Sequence, residues 1–382
     1  MVDWLRGSTL IVKDSDKNYW GCGQNWKGQT GTGFSDTIIY QPAKIKELSG
    51  KDIEILYSSS TDQTFIAKDS DNNYWGWGNN EYGQTGTGPT ASKLYRPTQI
   101  KEFSGKNIEI VYSCELDNWP TIIARDSDKN YWAWGYNSYG QTGTGSTDSK
   151  VYKPTQISAF TGKDIEILRR TNRNETFIVK DSDKNYWSWG HNRYGQTGTG
   201  TTDETVNEPT QVKEFTGEDI EMLYSDSDTI ILKTPDGRLW GWGYNPYGTL
   251  GTGTTDNVYK PTKIAERLSV NNARYLYVEN KAQQIIVITA DGKLYISGTS
   301  GSKVGKFGGY TCVCISDIPE NDLYGKTVIN ATRCGTLNTV VLTTEGKLYK
   351  VENTMVTEGL WYEATGSWAT GFVVTKDTRY NE

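Results

Sequence analysis

Short apolar runs alternate with polar turns along the chain, and the stretch from residue 53 to residue 100 shows the pattern. Ile53–Tyr57 is an apolar run rich in β-branched residues, and Phe65–Lys68 is a second run after a polar loop. An Asp/Asn cluster precedes the third run, residues 74–78, and Pro97 opens a fourth. Runs of about four to six residues between turn residues are typical of β-strands, and no segment here has a helical period. The pattern predicts four short strands.

The four-strand pattern recurs along nearly the whole chain. A residue pair in the third strand marks each copy, at Tyr19-Trp20, Tyr74-Trp75, Tyr131-Trp132, Tyr186-Trp187, Leu239-Trp240, Leu294-Tyr295 and Leu348-Tyr349. Successive pairs are 55, 57, 55, 53, 55 and 54 residues apart. Seven four-strand units are typical of a β-propeller. We therefore expect an all-β fold, a seven-bladed β-propeller with four-stranded antiparallel blades, as a single domain over residues 1–382, regular to about 265 and degenerate from about 266 onward.

The third strand of each repeat combines bulky and bare positions. Because side chains alternate along a strand, Trp75 and Trp77 share one face and Gly76 and Gly78 lie on the other. The bare face is expected to let adjacent blades pack tightly. The glycine-rich run that follows, residues 83–88 in the second repeat, is expected to need left-handed or closely approached backbone.

One motif per repeat carries a family resemblance. It reads Trp-Gly-x-Asn-x-Tyr-Gly-Gln-x-Gly-x-Gly, is followed by Pro-x-x-Ile, and occurs at residues 77–88, 134–145, 189–200 and, with Leu250, 242–253. The motif resembles the repeat of the regulator of chromosome condensation family, strongly over residues 1 to about 265 and weakly beyond. The resemblance implies a seven-bladed propeller.

The chain ends are expected to close the ring. The first strand of the first repeat is predicted to be missing, because the chain starts too late to supply it. Leu360–Glu363 is predicted to fill this vacancy, so that N- and C-terminal strands share one blade. Phe372–Thr375 is then surplus, and it pairs either at a sheet edge or with another chain.

Composition and charge exclude several classes of function. The 382 residues carry a formal net charge of −6, which disfavours nucleic-acid binding, and His191 is the only histidine, which disfavours histidine-rich metal sites and histidine-based catalysis. No apolar run is long enough for a spanning helix, and Met1–Gly7 does not resemble a signal peptide. We expect no membrane insertion and a location that is either cytoplasmic or associated with a virion or other assembly.

Motifs that resemble catalytic or metal sites have simpler structural explanations. The Asp-Ser-Asp-x-Asn clusters that start at residues 14, 69, 126 and 181 resemble a calcium loop but lack its distal glutamate, so we expect turns. The glycine-rich run lacks the Lys-Ser/Thr of a phosphate loop. Cys22 takes the place of a repeat tryptophan and is expected in the core, and His191 is expected at the surface or rim. No metal and no cofactor are predicted.

The loops that differ between repeats are the candidates for specific binding. The loops between first and second strands should align at one face of a propeller, and exposed Trp and Arg are enriched in binding hot spots. These loops, with aromatic residues in or near the loops after the glycine-rich runs, supply the binding candidates Trp119, Arg169, Arg170, Arg173, Asp226, Asp228, Arg333, Trp368, Trp26, Tyr40, Tyr95 and Tyr152. The alternative for each is local packing.

We interpret the chain as a non-enzymatic binding propeller that presents variable loops to a macromolecular partner, either a protein or a cell-surface glycan. A bacterial or phage surface-binding or structural component of a larger assembly is the specific hypothesis. Two alternatives remain open. One is guanine-nucleotide exchange on a small GTPase, as in the founding family member, although the even repeat spacing leaves no room for a projecting wedge. The other is protein inhibition of an enzyme.

Overall fold

The computed structural model describes residues 2–6, 8–59, 61, 63–113, 119–170, 176–226, 228–246, 248–252, 254–264, 273–279, 284–297, 313–314, 323–334, 338–352 and 355–358. These residues fold into β-strands and four single-turn 3₁₀ helices, and the strands form seven four-stranded antiparallel sheets. Within that part of the chain no helix is both long and apolar enough to cross a membrane. The chain divides into two compact units, residues 1–193 with 199–217, and residues 194–198 with 218–382.

The first unit holds the sheets of repeats 1 to 4, each a meander of consecutive strands. Their strands are Val2–Arg6 (β1), Thr9–Lys13 (β2), Tyr19–Gln24 (β3) and Ile38–Ile45 (β4); Ile53–Ser58 (β5), Thr64–Asp69 (β6), Tyr74–Asn79 (β7) and Lys93–Gln99 (β8); Ile108–Ser113 (β9), Thr121–Asp126 (β10), Tyr131–Tyr136 (β11) and Lys150–Gln156 (β12); and Ile165–Arg170 (β13), Thr176–Asp181 (β14), Tyr186–His191 (β15) and Thr205–Gln211 (β16). The 3₁₀ helices Lys46–Leu48, Lys101–Phe103, Ser158–Phe160 and Lys213–Phe215 follow the fourth strands.

The second unit holds the sheets of repeats 5 to 7, built in the same order. Their strands are Glu221–Asp226 (β17), Thr229–Lys233 (β18), Leu239–Gly243 (β19) and Val258–Lys263 (β20); Ala273–Glu279 (β21), Gln284–Thr289 (β22), Leu294–Ser297 (β23) and Val313–Cys314 (β24); and Val328–Cys334 (β25), Asn338–Thr343 (β26), Leu348–Glu352 (β27) and Met355–Glu358 (β28).

The vacancy predicted in the first sheet does not exist. Val2–Arg6 forms β1 and pairs with β2 through Leu5 opposite Leu10 and Arg6 opposite Thr9. The prediction was wrong because this segment has no apolar alternation, although five residues before a tight turn are enough for an edge strand. Leu360–Glu363 therefore has no place to fill in this sheet, and both this segment and Phe372–Thr375 lie outside the described residues.

A tryptophan latch joins each glycine-rich loop to the next repeat, and we define it by four hydrogen bonds. The buried indole N–H groups of Trp77, Trp134, Trp189 and Trp242 donate to the carbonyl oxygens of Gln29, Gln84, Gln141 and Gln196, at 3.2, 3.0, 3.0 and 3.0 Å. Each indole comes from a third strand, and each carbonyl comes from the loop one repeat earlier. A second-strand phenylalanine stacks on the indole in two repeats, with the Phe65 and Trp77 rings 5.1 Å apart. The latch thus joins neighbouring repeats through their most buried side chains.

The glycines make this close approach possible. Gly86 has a φ of +72°, and a Cβ there would lie 3.2 Å from the indole nitrogen of Trp134, so the loop confirms the predicted left-handed backbone. Gly76 serves a different purpose from the one expected. A Cβ on Gly76 would lie 2.2 Å from the carbonyl oxygen of Thr85, so the bare face accommodates the loop of its own repeat rather than the adjacent sheet.

A buried asparagine holds each glycine-rich loop in shape. In the second repeat the Oδ1 atom of Asn80 accepts hydrogen bonds from the backbone N–H and the hydroxyl of Thr85, while its amide donates to the carbonyls of Gly88 and Ala91. Asn25, Asn137, Asn192 and Asn245 are equally buried and bridge their loops in related ways. Because a buried amide must satisfy its donors and acceptor, this side chain selects one loop conformation.

In the first three repeats a tyrosine joins the other face of the sheet to the following repeat. The hydroxyl of Tyr74 donates to the carbonyl of Lys106 and accepts from the backbone N–H of Ile108, and its ring packs on Phe103 of the 3₁₀ helix. Tyr19 and Tyr131 make the matching contact with the first strand of the next repeat. The third strand therefore contacts the preceding repeat through the tryptophan latch and the following repeat through this tyrosine.

The Asp-Ser-Asp-x-Asn clusters are turns, as predicted. The buried carboxylate of Asp69 accepts from the backbone N–H groups of Asp71 and Asn73 and from the indole of Trp75, and it pairs with Lys51 at 3.0 Å. Burial raises the pKa of this carboxyl, but the hydrogen bonds from Asn73, Lys51 and Trp75 outweigh it, and the pKa falls to about 2. The oxygens of this carboxylate thus accept hydrogen bonds from other groups of the protein.

Replacing Trp134 with Phe should lower the free energy of unfolding by about 2–4 kcal/mol, because the carbonyl of Gln84 loses its donor and a smaller ring leaves a void. Urea denaturation followed by circular dichroism measures this. Trp119→Phe is the control, since Trp119 is 40% exposed, and it should change stability by less than about 0.5 kcal/mol. Equal effects of the two substitutions would contradict the latch.

Stability should fall in acid through the turn aspartates. Their pKa in the folded state lies below the ordinary value of 3.8, so the ionised form favours folding. This contribution is complete above about pH 4 and disappears as the pH falls towards about 2. Urea denaturation between pH 2 and pH 6 should show a shallower pH dependence for Asp69→Asn than for the unsubstituted chain. An identical pH dependence would contradict the assignment.

Candidate functional site

Two sets of loops lie at the same end of every sheet. In an antiparallel meander the turn between strands one and two and the turn between strands three and four share one end. The variable loop before β6 and the glycine-rich loop after β7 therefore meet, and the backbone N–H of Asn79 donates to the carbonyl of Gln63 at 3.1 Å. We call this the loop end of the sheets.

A continuous row of aromatic side chains occupies the loop end of repeats 2 to 4. We define this aromatic belt by Tyr82, Trp119, Tyr136, Tyr139 and His191. The centroid of the Tyr136 ring lies 5.4 Å from that of Tyr82, 5.5 Å from that of Trp119 and 6.2 Å from that of Tyr139, and the Tyr139 and His191 centroids are 4.7 Å apart. Trp119 stacks flat on Tyr136, with 17° between the planes, and all the other belt residues are half-exposed.

Four of the five belt residues are positioned by the repeat scaffold, and Trp119 rests on one of them, Tyr136. Tyr136 and His191 end the third strands β11 and β15, immediately after a glycine with positive φ. Tyr82 and Tyr139 lie two residues after the buried loop asparagine, and their backbone N–H groups each donate to the side-chain oxygen of the next glutamine, at 2.9 Å. The rings therefore project from fixed backbone.

Charged groups flank the belt but are few on it. The ammonium of Lys150 lies 5.2 Å above the ring of Tyr82 and donates to the carbonyl of Glu81. The carboxylate of Glu81 pairs with Lys27 of the first repeat at 3.2 Å. Burial and the neighbouring Arg193 lower the pKa of His191 from its ordinary value, against an opposing effect of Glu204. The belt surface is mainly aromatic.

The second unit has a similar aromatic pair, formed by Tyr194 in the loop after β15 and Tyr244 in the loop after β19. The rings of Tyr194 and Tyr244 are 4.7 Å apart. Nearby, the side-chain amide of Gln196 donates to the carboxylate of Asp228 at 2.9 Å. Asp228, a binding candidate from the sequence, is therefore used in local packing.

The other binding candidates fall into four groups. Trp119 lies on the belt, whereas Trp26 and Tyr40 are exposed, at 51% and 86%, without a described contact to it. Tyr95 and Tyr152 are half-buried, and their carbonyls accept from the glycine-rich loop of the preceding repeat, which is the local-packing alternative. The backbone of Arg169, Arg170, Asp226 and Arg333 lies in first strands, but their side chains, and all of Arg173 and Trp368, lie outside what is described. Their binding roles stay predictions.

Sequence reasoning missed the tyrosines of the belt. Tyr82 and Tyr139 are residues of the repeat motif, and Tyr136 and His191 lie at one of its variable positions. The signal available in the sequence was that two positions of the repeat, those of Tyr136 and Tyr139, hold aromatic residues in successive repeats. His191 does lie at the rim, as expected, but Cys22 is a half-buried free thiol rather than a core residue.

The described residues contain no group of three or more His, Cys, Asp or Glu side chains that could hold a metal ion. The hydrogen-bonded aspartates of the turns are saturated by backbone and indole donors. What the loop end offers is an apolar, aromatic surface for contact.

Comparison with known proteins identifies the repeat. A family profile described as the Regulator of chromosome condensation (RCC1) repeat matches residues 71–114, 130–168, 185–223 and 236–277. The chain therefore contains RCC1 repeats. The repeat assignment and the four-stranded antiparallel sheets confirm the predicted all-β propeller fold class. The number of blades in a closed ring and the way the ring closes stay predictions.

Similar proteins include the ultraviolet-B receptor UVR8 of Arabidopsis thaliana, 28% identical over 76% of this chain and 62% of the receptor. The E3 ubiquitin-protein ligase HERC2 of Mus musculus is 25% identical over 88% of this chain but only 7% of the ligase. The chain thus spans less than two thirds of either relative. Among solved structures, human WBSCR16 aligns with a TM-score of 0.38 at 16% identity, covering 88% of this chain and 87% of that one. Yeast RCC1 (Prp20) bound to Kap60 aligns with a TM-score of 0.38 at 19% identity, covering 87% and 77%.

The single histidine allows the belt to be tested directly. The imidazole protons of His191 should titrate in NMR spectra with a midpoint below 6.5, because burial and Arg193 disfavour the imidazolium. Arg193→Gln should raise the midpoint by removing a positive neighbour. A midpoint of 6.5 or higher in the unsubstituted chain would contradict the half-buried position on Tyr139.

Proposed function

We propose that this protein with RCC1 repeats is a non-enzymatic binding protein that presents the aromatic belt to a protein partner. The observation that carries the proposal is the row of five partly exposed rings over three repeats, each packed on a neighbour, with four of them held by the repeat scaffold. A surface of this kind needs no reorganisation to bind, so less conformational entropy is lost on association.

A protein is the partner class that the chemistry of the belt favours. Trp and Tyr are enriched among residues that dominate the binding energy of protein interfaces. Trp119 stacks one ring face on Tyr136 and is still 40% exposed, so it offers aromatic surface to a partner. The net charge of −6 opposes a polyanionic ligand. A cell-surface glycan, which also stacks on aromatic rings, is the competing ligand.

The biological setting is a further part of the proposal. A surface-binding or structural component of a bacterial or phage assembly would suit a rigid scaffold with variable loops. Nucleotide exchange on a GTPase and inhibition of an enzyme would also act through protein contacts. Unlike a purely structural role, they would change the activity of the captured partner.

The test is capture of partners from the native host with tagged chain, followed by quantitative mass spectrometry. The double variant Trp119→Ala/Tyr136→Ala should reduce capture of the specific partner by at least about thirtyfold, since two central aromatic contacts are lost. Tyr324→Ala is the matched control, because Tyr324 is 56% exposed and lies in the second unit, and it should leave capture unchanged. The melting temperature of both variants should stay close to that of the unsubstituted chain.

Unchanged capture by the double variant would contradict the belt as the binding site. Loss of capture after glycosidase treatment of the lysate would show that the belt binds a glycan and not a protein surface. Faster nucleotide release from a captured GTPase would contradict the purely non-enzymatic role.

A further inference from the structure

The aspartate turn of the fourth repeat holds a lysine side chain. The ammonium of Lys163 pairs with the carboxylates of Asp181 and Asp183, at 2.9 and 3.1 Å. It also lies 5.8 Å from the centroid of the Trp187 ring, within the range of a cation–π contact. The turn and the third strand that follows it thus provide two carboxylates and one indole for an ammonium group.

The second repeat holds a lysine in the same way. The ammonium of Lys51 pairs with the carboxylate of Asp69 at 3.0 Å and lies 4.0 Å from the centroid of the Trp75 ring. Lys51 precedes Asp69 by 18 residues, as Lys163 precedes Asp181, so the lysine comes from the same place in both repeats. The ammonium donates to the same Oδ2 atom that accepts from the indole of Trp75. A lysine therefore adds to the donors within the turn without replacing them.

The first repeat has the same arrangement without a lysine. The indole of Trp20 donates to the carboxylate of Asp14 at 2.9 Å, as the indole of Trp187 does to Asp181 at 3.0 Å. The backbone N–H of Asp16 donates to the other oxygen of Asp14 at 2.9 Å, which holds the second aspartate beside the first. Among the described residues, no lysine or arginine pairs with either carboxylate, and none lies over the Trp20 ring.

The site in the first repeat is open to solvent. Asp14 and Trp20 are half-exposed and Asp16 is exposed, whereas Asp69 and Asp181 are only 2% and 3% exposed. The hydrogen bond from Trp20 is the main cause that lowers the pKa of the Asp14 carboxyl, to about 2. The site is therefore charged at neutral pH and accessible from outside.

Three lysines surround this turn, and none of them fills the site. Lys13 and Lys17 pair with Asp52 at the junction with the second repeat. Lys44 stands opposite Trp20 in the β3–β4 ladder, but it is exposed, and in the described part of the chain it contacts neither the ring nor a carboxylate. Two carboxylates without an ion pair thus lie beside a half-exposed indole.

We propose that Asp14, Asp16 and Trp20 form a site for the ammonium group of a lysine side chain on a partner protein. The ammonium takes the place that Lys163 takes in the fourth repeat, where it donates to both carboxylates and lies near the indole. Lysine suits the site because its ammonium has three donors and makes charge-assisted hydrogen bonds to carboxylates. The turn lies at the opposite end of the sheet from the loop end, so this site is independent of the aromatic belt and of the partner proposed for it.

The experiment uses the full chain and the peptide acetyl-Gly-Ser-Lys-Ser-Gly-amide, in an NMR titration that follows the indole N–H signal of Trp20. A matched peptide carries Nε-acetyllysine, which has the same stem without the charge. The lysine peptide should shift the Trp20 signal and bind at least fivefold more tightly than the acetylated peptide. No shift of Trp20, or equal binding of the two peptides, would overturn the proposal. Binding of free putrescine at least tenfold more tightly than of the lysine peptide would assign the site to a free amine and overturn the partner-protein part.

A single charge change locates the site. Asp16→Asn should weaken binding of the lysine peptide at least threefold, with the melting temperature unchanged because Asp16 is exposed. Asp71→Asn is the matched control, since Asp71 has the same position in the second repeat, where Lys51 already occupies the site. It should leave binding at Trp20 unchanged. Unchanged binding by Asp16→Asn, or an equal loss in the control, would contradict the site.

Removal of an internal lysine should create a second site. In Lys51→Ala the carboxylate of Asp69 and the ring of Trp75 lose their ammonium, so the lysine peptide should now shift the indole signal of Trp75. The peptide should not shift that signal in the unsubstituted chain. If Lys51→Ala does not fold, Lys163→Ala with the signal of Trp187 gives the same test in the fourth repeat. A folded variant whose newly opened site ignores the peptide would overturn the proposal, because the arrangement would then bind only a lysine of its own chain.

Discussion

The hydrogen bond from a buried tryptophan to the preceding loop is the constraint on which the rest of this structure depends. A repeat of about 55 residues cannot bury both faces of a four-stranded sheet alone, so each sheet must pack against its neighbours. The latch makes that packing directional, because the indole of Trp134 can reach the carbonyl of Gln84 only if the glycine-rich loop lies flat against it. Gly86 allows the approach, and Asn80 holds the loop in the conformation that presents the carbonyl.

The candidate binding surface is a consequence of the same arrangement. Gln84 turns its backbone carbonyl inward to the latch, while its side-chain oxygen accepts from the backbone of Tyr82 and so fixes that residue at the loop end. Gln141 does the same for Tyr139. Ring spacing along the belt is therefore set by the packing between repeats. Loss of the latch should disturb binding as well as stability, whereas loss of a belt ring should disturb binding alone.

The local structure could be predicted from the sequence, because its causes are local. Strand length, the aspartate turns and the left-handed glycines follow from residue types within a few positions of one another. The bare face of the third strand was interpreted wrongly, because Thr85 occupies the space beside Gly76 and this contact depends on how the loop folds back. The belt was missed for a related reason: Tyr139 and His191 are 52 positions apart and meet only once two repeats are packed. A single sequence shows which positions of the repeat vary, but it does not show which of their side chains are in contact.

The central claim is that the latched loops hold one aromatic surface for a protein partner. Hydrogen–deuterium exchange of the chain with and without its captured partner tests this claim most directly. The account predicts that binding slows exchange in the backbone around residues 79–84, 119–140 and 189–195. Little change is predicted in the aspartate turns between the second and third strands, which lie at the opposite end of the sheets. Protection confined to other segments, with these three unchanged, would contradict it.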